Sequence, residues 1–443
     1  MKIRSLIVGG GIAGVTVALC LWKKKEEFLL LESSPRLGGK VETKRISGGL
    51  LEMGPSSFLA EPPMILEMIE ALGMKDSLLS PAPEAKQRFI LKRGQISRLP
   101  SNPFELFTTD ALSWNGKFRF LRELFYASPR QQGEESVFDF FLRHFGRETA
   151  QSFADPFVSG IFAGDSSQLS LDAAFPTMRE AEIKSGSLLR HLIRKKKTGG
   201  PPSSLYQIRG GLGSIFAEAS SKMGEENFHR NEAVQSIVRL PRGFQVLTNK
   251  ATYETEKLYL AVPAYEAARL FQNQTPSLAD LLWQVQYAPL VTAHLRIRRN
   301  EKNRLSGFGL LIPTAEKRQI LGILWNSSSF PSLFTDKQHH YVTVYAGGAR
   351  NRQIVEEERD RLVQKILDET SSVLSLHETI DLLELRRHTA AIPQYNLGHN
   401  RILEAISQEL RTLQSLKLVG NYLGGVSLPR TVAHAISQVL WDC

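Results

Sequence analysis

Gly9, Gly11, Gly14 and Glu32 are the residues whose types and spacing most clearly allow chemistry. The run Gly9-Gly10-Gly11-Ile12-Ala13-Gly14 has the form G-x-G-x-x-G. In a strand-to-helix turn, Gly9 permits the bend, Gly11 lets a pyrophosphate approach the backbone with no Cβ in the way, and Gly14 lets the helix lie close on the strand. Phosphate oxygens would then face unpaired N–H groups at the positive end of a helix dipole. Glu32 follows eighteen residues after Gly14, where an acid accepts hydrogen bonds from an adenosine ribose and disfavours a 2′-phosphate. A lone glycine turn also occurs in α/β domains that hold no ligand. The register of strand, helix, second strand and acid is what favours a dinucleotide.

Those residues need a frame. Leu6 to Val8 read as a buried strand, Val15 to Leu21 as an apolar helix and Phe28 to Glu32 as a second strand, the first unit of a dinucleotide-binding fold. A second glycine pair follows in Arg36-Leu37-Gly38-Gly39-Lys40, whose plainer reading is a charged loop, and then a tight bend at Glu52-Met53-Gly54-Pro55. Ile65, Met68, Ile69 and Leu72 share one helical face between Met64 and Leu72, and Gly73 stops the helix.

From Pro81 to about Pro103 the chain carries four prolines and an isolated strand pair, Arg88 to Leu91 and Gln95 to Arg98, which marks the exit from the first domain. The stretch to about Thr198 reads as helical and aromatic, with Phe104, Phe107, Trp114, Phe118, Phe125, Tyr126 and Phe140 among its rings. It ends in Leu188 to Lys197, which mixes aliphatic residues with five Lys/Arg, and in the flexible run Thr198 to Pro202. Such a segment suits an anionic membrane surface; the alternative is a packed core with a solvated basic loop.

Arg209-Gly210-Gly211-Leu212-Gly213 leads into a helix, and Asn231 to Val238, Gly243 to Thr248 and Leu258 to Ala264 read as a β-meander that returns to the first domain. Thr292 to Ile297, Phe308 to Ile312, Ile320 to Trp325 and Tyr341 to Ala346 read as an antiparallel sheet, beside a charged helix from Gln353 to Leu374. The chain closes with a strand at Leu416 to Val419, a glycine loop through Gly424-Gly425 and a helix with Val432, Ile436, Val439 and Leu440 on its buried side. Pro429 fits its first turn.

The 443 residues allow two or three domains, and 42% hydrophobic with 23% charged content is globular, not disordered. Two cysteines, Cys20 and Cys443, give no disulfide framework and fit a reducing compartment. No run reaches the ~20 apolar residues of a spanning helix, and the start does not resemble a cleaved signal. The expected location is therefore the cytoplasm, peripheral on the inner face of the membrane. A net charge of +10 favours anionic partners, of which nucleic acid ranks last because no basic helix interleaved with aromatics is present. The sequence does not determine oligomeric state, and a homodimer is compatible with it. His339-His340 reads as a charged loop without metal-ligand spacing, so no metal is expected and no catalytic side chain is assigned.

The combination of G-x-G-x-x-G, Glu32, R-x-G-G and Gly54-Pro55 resembles the flavin-containing amine oxidase superfamily. Further motifs resemble one branch of it, the oxygen-dependent protoporphyrinogen oxidases: Gly54 to Leu59, Gly160-Ile161-Phe162-Ala163-Gly164-Asp165 with Leu169-Ser170 and Phe175-Pro176, Arg209 to Leu212, Ile392 to His399, and Gly424 to Pro429. The resemblance implies an α/β FAD-binding Rossmann-like domain of the extended-FAD type (residues 1–85, 203–264 and 385–443). It further implies a helical membrane-binding insertion (86–202) and a mixed α+β substrate domain (265–384).

It also implies residue roles. Gly9 to Gly14, including Gly10, Ile12 and Ala13, would hold the pyrophosphate, with Glu32 and Ser33 on the ribose. Arg36 and Gly39 would be cofactor-binding, Lys40, Gly54, Pro55, Ser56 and Ser57 would line the flavin, the Val234 backbone would meet the adenine, and Asn421, Val426, Ser427 and Leu428 would face the isoalloxazine. Arg88 would pair with a substrate propionate, suited by its permanent charge and paired N–H groups, and the Gly160 carbonyl would accept from a pyrrole N–H. His399, though inside a motif, reads as structural. The implied reaction removes hydride from a porphyrinogen bridge and a proton from a pyrrole nitrogen, three times over, with oxygen as the expected acceptor. Coproporphyrinogen, with four carboxylates in place of two, is the rival substrate, and a flavin-bearing membrane scaffold without turnover is the reading from another class.

Overall fold

The computed structural model of the chain describes residues 1–100, 105, 112–125, 133–197, 204–300 and 305–440. Phe104, Phe107, Tyr126, the Thr198 to Pro202 run and Cys443 lie outside the described residues, as do the side chains of Lys195 to Lys197 and of Leu440. The contacts gather into two compact units, Met1–Ser80, Ser203–Gln286 and Arg401–Cys443 in one, Pro81–Pro202 and Tyr287–Asn400 in the other.

The first unit is built on a sheet whose parallel strands all end at one level. Strand Lys2–Val8 lies between Phe28–Leu31 and Thr252–Leu260, with Val8 opposite both Leu31 and Leu260. Leu31 is opposite His229 of the next strand, and Leu260 is opposite Leu418. Every loop that leaves a carboxyl end here emerges along one edge, the place where open α/β sheets bind ligands. The predicted meander is present as Val234–Arg239, Phe244–Thr248 and Thr252–Leu260, antiparallel to each other. Its third strand starts before Leu258 and ends at Leu260, and Ala264 already opens a helix. Helix Ile12–Lys23 is buried on almost every side, against the sheet and the closing helix Leu428–Leu440.

The second unit carries a seven-stranded sheet in the order Ile380–Pro393, Tyr287–Arg298, His339–Gly347, Ile320–Leu324, Gly309–Leu311, Arg88–Lys92 and Gln95–Arg98. Leu91, Val291, Ala293, Leu310 and Val344 pack with Leu362, Ile366 and Val373 of helix Arg359–Leu374, so one face of the sheet is apolar core.

Several expectations are corrected. The pair Arg88–Lys92 and Gln95–Arg98 is not isolated, because Arg88–Lys92 pairs in parallel with Gly309–Leu311. Strand Ile380–Pro393 pairs with Tyr287–Arg298, which draws residues after 384 into the second unit. Segments 86–202 and 265–384, separate in the sequence reading, therefore fall largely into one unit, while helices Ala264–Phe271 and Pro276–Trp283 stay in the first. Long-range pairing decides membership, and local pattern carries no record of it. His339 and His340 open strand His339–Gly347, not a loop. The charged helix is broken: residues Arg352–Glu356 form a separate 3₁₀ turn, and Glu358 caps helix Arg359–Leu374 through the N–H groups of Asp360 and Arg361.

Candidate functional site

In the first unit the glycines divide their work as the turn requires. Gly9 has a φ of 106°, and a Cβ on it would collide with the Ala261 carbonyl, as one on Gly14 would with the Gly9 carbonyl. Gly11 differs, since nothing lies within 4 Å of where its Cβ would stand. Gly11 also N-caps helix Ile12–Lys23, and no side chain caps the first turn. Orphan N–H groups facing open space fit a pyrophosphate.

Glu32 is 8% exposed. Its Oε2 accepts from the Gly10 N–H at 2.7 Å and its Oε1 from the Ser34 N–H at 2.8 Å, with the Ser33 hydroxyl at 3.3 Å. The acid thus ties the first glycine loop to its own. The Gly38 N–H donates to the Gly10 carbonyl at 2.8 Å, which sets the second glycine pair beside the first. Arg36 braces that pair: its guanidinium donates to the carbonyls of Gly39 at 2.8 Å, Val41 at 3.2 Å and Leu37 at 3.3 Å, and pairs with Glu42 at 2.7 Å. Burial pushes the Lys40 ammonium down to about 8. Gly54 turns directly over the Lys40 carbonyl, where a Cβ would not fit, and Pro55, Ser56 and Ser57 are only half-buried.

Beside the loop after Glu32, the Asn231 N–H donates to the Ser34 carbonyl at 3.0 Å, and the Val234 carbonyl receives Arg269 at 3.4 Å. The C-terminal loop joins the same rim through the Val419 N–H, which donates to Leu260 at 2.9 Å. Gly425 turns with a φ of 120°, and the Thr431 hydroxyl donates to the Ser427 carbonyl at 3.0 Å. Val426, Ser427, Leu428 and Asn421 keep partial or full exposure at the head of helix Leu428–Leu440. The loops near residues 10, 38, 54 and 425 thus belong to one unit and one framework, suited to an extended dinucleotide.

In the second unit, register places the two predicted substrate residues on one face of the sheet, opposite helix Arg359–Leu374. Arg88 pairs with Gly309 and Ile90 with Leu311, and paired residues point the same way. Gly160 sits on this face, because a Cβ there would press on the Leu311 side chain at 2.8 Å. Helix Asp155–Phe162 ends at Ala163 in the left-handed conformation, its N–H bonded to Ser159. The Gly160 carbonyl belongs to the last turn, where no further helical N–H follows to cap it. Gly160 is exposed and Ile161 is 39% exposed.

Sequence reasoning missed what holds this turn. The Arg350 guanidinium bonds to Asp155, to Asp165 at 2.9 Å and to Thr314. Burial would raise the Asp165 carboxyl, but Arg350 and Ser167 outweigh it and hold its pKa below the usual range. The Ala349 N–H donates to the Ala163 carbonyl at 2.7 Å, and Gln394 donates to Phe162 at 2.8 Å. Ser170 and Leu397 add backbone bonds of 2.8 Å to Tyr395 and Gln168. Two motifs noted separately in the sequence are therefore a clasp. His399 is part of it, 2% exposed and stacked on Tyr395 at 4.2 Å.

Three cations of this face stand beside acids. Lys92 meets Glu148, Arg296 meets Asp381 and Arg386 meets Glu384. Arg88 has no acidic partner among the described residues, and its guanidinium lies 5.2 Å from the Phe308 ring. No group of residues that could hold a metal ion is found among the described residues.

Comparison with known proteins agrees with this geometry. The chloroplastic protoporphyrinogen oxidase of Nicotiana tabacum is 29% identical over 465 residues, covering 98% of this chain and 84% of that protein. The coproporphyrinogen III oxidase of Bacillus subtilis (strain 168) is 23% identical, covering 99% and 97%. A crystal structure from Exiguobacterium sp. 255-15, assigned to protoporphyrinogen oxidase, superposes with a TM-score of 0.85 at 22% identity over 99% of this chain and 98% of that one, a likeness of fold. The family described as flavin containing amine oxidoreductase matches residues 12–437. The chain belongs to the flavin-containing amine oxidoreductase family and is an FAD-dependent oxidoreductase.

Proposed function

We propose that the protein oxidises protoporphyrinogen IX to protoporphyrin IX, with oxygen as the final acceptor. One observation carries the reading on the substrate side: Arg88 has no acidic partner among the described residues, where Lys92, Arg296 and Arg386 of the same face have theirs. It stands beside the aromatic Phe308 and shares its face with Gly160. A guanidinium there supplies paired N–H donors for one propionate. The Gly160 carbonyl, on the helix that packs over Leu311 of the neighbouring strand, supplies an acceptor for a pyrrole N–H. Leu311, Leu324 and Ile161, all partly exposed, supply apolar surface for the ring. FAD bound along the first unit's rim supplies the hydride acceptor. Gly9 to Gly14 would hold its pyrophosphate, Glu32 and Ser33 its ribose, Val234 its adenine, and Lys40, Gly54 to Ser57, Asn421 and Val426 to Leu428 its flavin end, with Arg36 and Gly39 shaping the turn between.

Arg88 serves one propionate, which favours the substrate with two carboxylates over the one with four. The test is anaerobic: protoporphyrinogen should bleach the flavin absorption of the purified protein, with porphyrin fluorescence appearing in step. Coproporphyrinogen run beside it should give a kcat/KM at least about tenfold lower, the cost of desolvating further carboxylates against apolar surface. A flavin that stays oxidised with both would overturn the enzyme reading.

The membrane reading has its own support. Trp114, Phe118 and Phe125 are 77%, 66% and 79% exposed, Ile183 and Ile193 are 58% and 40% exposed, and helix Leu188–Lys197 is basic. No helix among the described residues is long and apolar enough to cross a bilayer. Aromatic side chains with basic neighbours favour attachment to the surface of an anionic membrane. Co-sedimentation with phosphatidylglycerol vesicles, but not with phosphatidylcholine vesicles, is the expected result.

A further inference from the structure

Glu52 belongs to none of the residues considered for binding, yet it sits at the crossing of three segments. It ends strand Gly49–Glu52, is 7% exposed, and has no cationic partner among the described residues. Its Oε1 accepts from the Gln207 side-chain amide at 3.0 Å and from the Leu212 N–H at 2.8 Å, and its Oε2 from the Thr43 hydroxyl at 2.8 Å. Thr43 in turn accepts from the Gly213 N–H at 2.8 Å. Burial pushes the acid up to about 7 against these three donors, which lower it. A buried acid without a cation is costly where only packing is needed, so what it holds is the question.

Gln207 supplies the answer. Its Nε2 donates a second bond, to the Ser56 carbonyl at 2.7 Å, and its Oε1 accepts from the Ile208 N–H at 2.6 Å, so neither end of the amide can turn. In a trans peptide the C=O and the following N–H point in opposite directions. With the Ser56 oxygen drawn in to Gln207, the Ser57 N–H is turned outward. Neither that N–H nor the hydroxyls of Ser56 and Ser57 have a hydrogen-bond partner among the described residues, and both serines are half-buried. Unused donors on a fixed peptide, two residues past Gly54, are what a polar ring edge requires.

We infer that Glu52 is a positioning residue for the flavin end of FAD: through Gln207 it sets the Ser56–Ser57 peptide so that the Ser57 N–H faces the cofactor. The inference rests on the reading of Gly54 to Ser57 as a flavin loop. The sequence hides it, because Glu52 and Gln207 meet only when strand Leu205–Ile208 lies beside this loop.

The experiment titrates flavin-free protein with FAD, follows quenching of flavin fluorescence, and records thermal unfolding of each apoprotein. Gln207→Leu and Glu52→Leu should each weaken FAD binding about tenfold or more, the loss of one buried hydrogen-bonded link. The double variant should be no weaker than the worse single, since both cut one chain of contacts. Glu52→Gln keeps an oxygen for Gln207 and Leu212 and can donate to Thr43, so it should stay within about threefold of wild type. A folded Gln207→Leu protein that binds FAD like wild type overturns the inference, as do independent, additive losses. Should Glu52→Leu fail to fold, Gln207→Leu alone decides. If the wild-type apoprotein takes up no FAD, the parent reading fails instead.

Discussion

The rim of the first unit and the ledge of the second are held together by different means. Along the rim, main-chain groups meet directly: Gly38 to Gly10, Gly9 to Leu31, Val419 to Leu260, with Glu32 closing on the Gly10 N–H. On the ledge, side chains span the gaps: Arg350 to Asp155 and Asp165, Gln394 to Phe162. Backbone-held loops tolerate almost any outward side chain but no Cβ where two chains cross. Side-chain-held loops tolerate backbone neighbours but fail when a charge is deleted. The two regions should therefore break under different substitutions.

The largest effect is expected within the rim, where two glycines of one motif should behave oppositely. Gly14→Val drives side-chain atoms into the Gly9 carbonyl and Ala261, and should leave little folded protein, by soluble yield and thermal unfolding. The Cβ of Gly11→Val meets nothing within 4 Å, so the apoprotein should keep its Tm while bound flavin falls below about one part in ten. A flavin-replete Gly11→Val protein would remove the pyrophosphate from that loop.

On the ledge, Arg350→Met leaves Asp155 buried without its cation and should cost about 3 kcal/mol of stability. Flavin content should be unchanged, while KM rises more than kcat falls, because the Gly160 turn loosens. Equal loss of flavin would mean that the two regions are not independently held. Arg88→Ala is milder: with no acidic partner to strand, stability should be unaffected, and KM should rise about tenfold with flavin content constant. Unchanged kinetics would refute its role.

A further effect is a pH dependence in the C-terminal loop. Burial beneath Gly424 pushes His434 down to about 4. Its folded pKa lies below the ordinary 6.5, so the neutral ring's contribution is complete above that value and is lost as pH falls through about 4. The loss is on the order of 3 kcal/mol by linkage. Glu52 works in the opposite sense, its raised pKa removing stability as pH rises from 4.5 to about 7. Only the difference between wild type and His434→Leu, measured by denaturant unfolding at pH 7.5 and 5, isolates the histidine, and that difference should shrink toward pH 5.

The rim was legible because its constraints are local. Gly9, Gly11 and Gly14 are identifiable from spacing, since a turn that must bend, admit a ligand and pack a helix has only glycine to use at those points. Glu32 and the Gly38-Gly39 pair follow within one strand and one loop. Arg36 was legible as part of the motif but not as its brace, which depends on where the carbonyls of Gly39 and Val41 turn. The ledge was harder. Arg88 and Gly160 were named from motifs alone, while Arg350, Glu52 and Gln207 carried no signal, because each acts on a segment far away in the chain.

What the sequence determined unaided is the cofactor framework, because φ angles and missing Cβ atoms are properties of single residues and near neighbours. What the tertiary structure decided is which charges remain to be used. Arg88 is a cation like Lys92, Arg296 and Arg386, and it differs only in the folded chain, where Glu148, Asp381 and Glu384 stand beside the other three and no acid among the described residues stands beside it. Strand pairing brings Asp381 to Arg296 and a distant helical turn brings Glu148 to Lys92, and local pattern records neither approach.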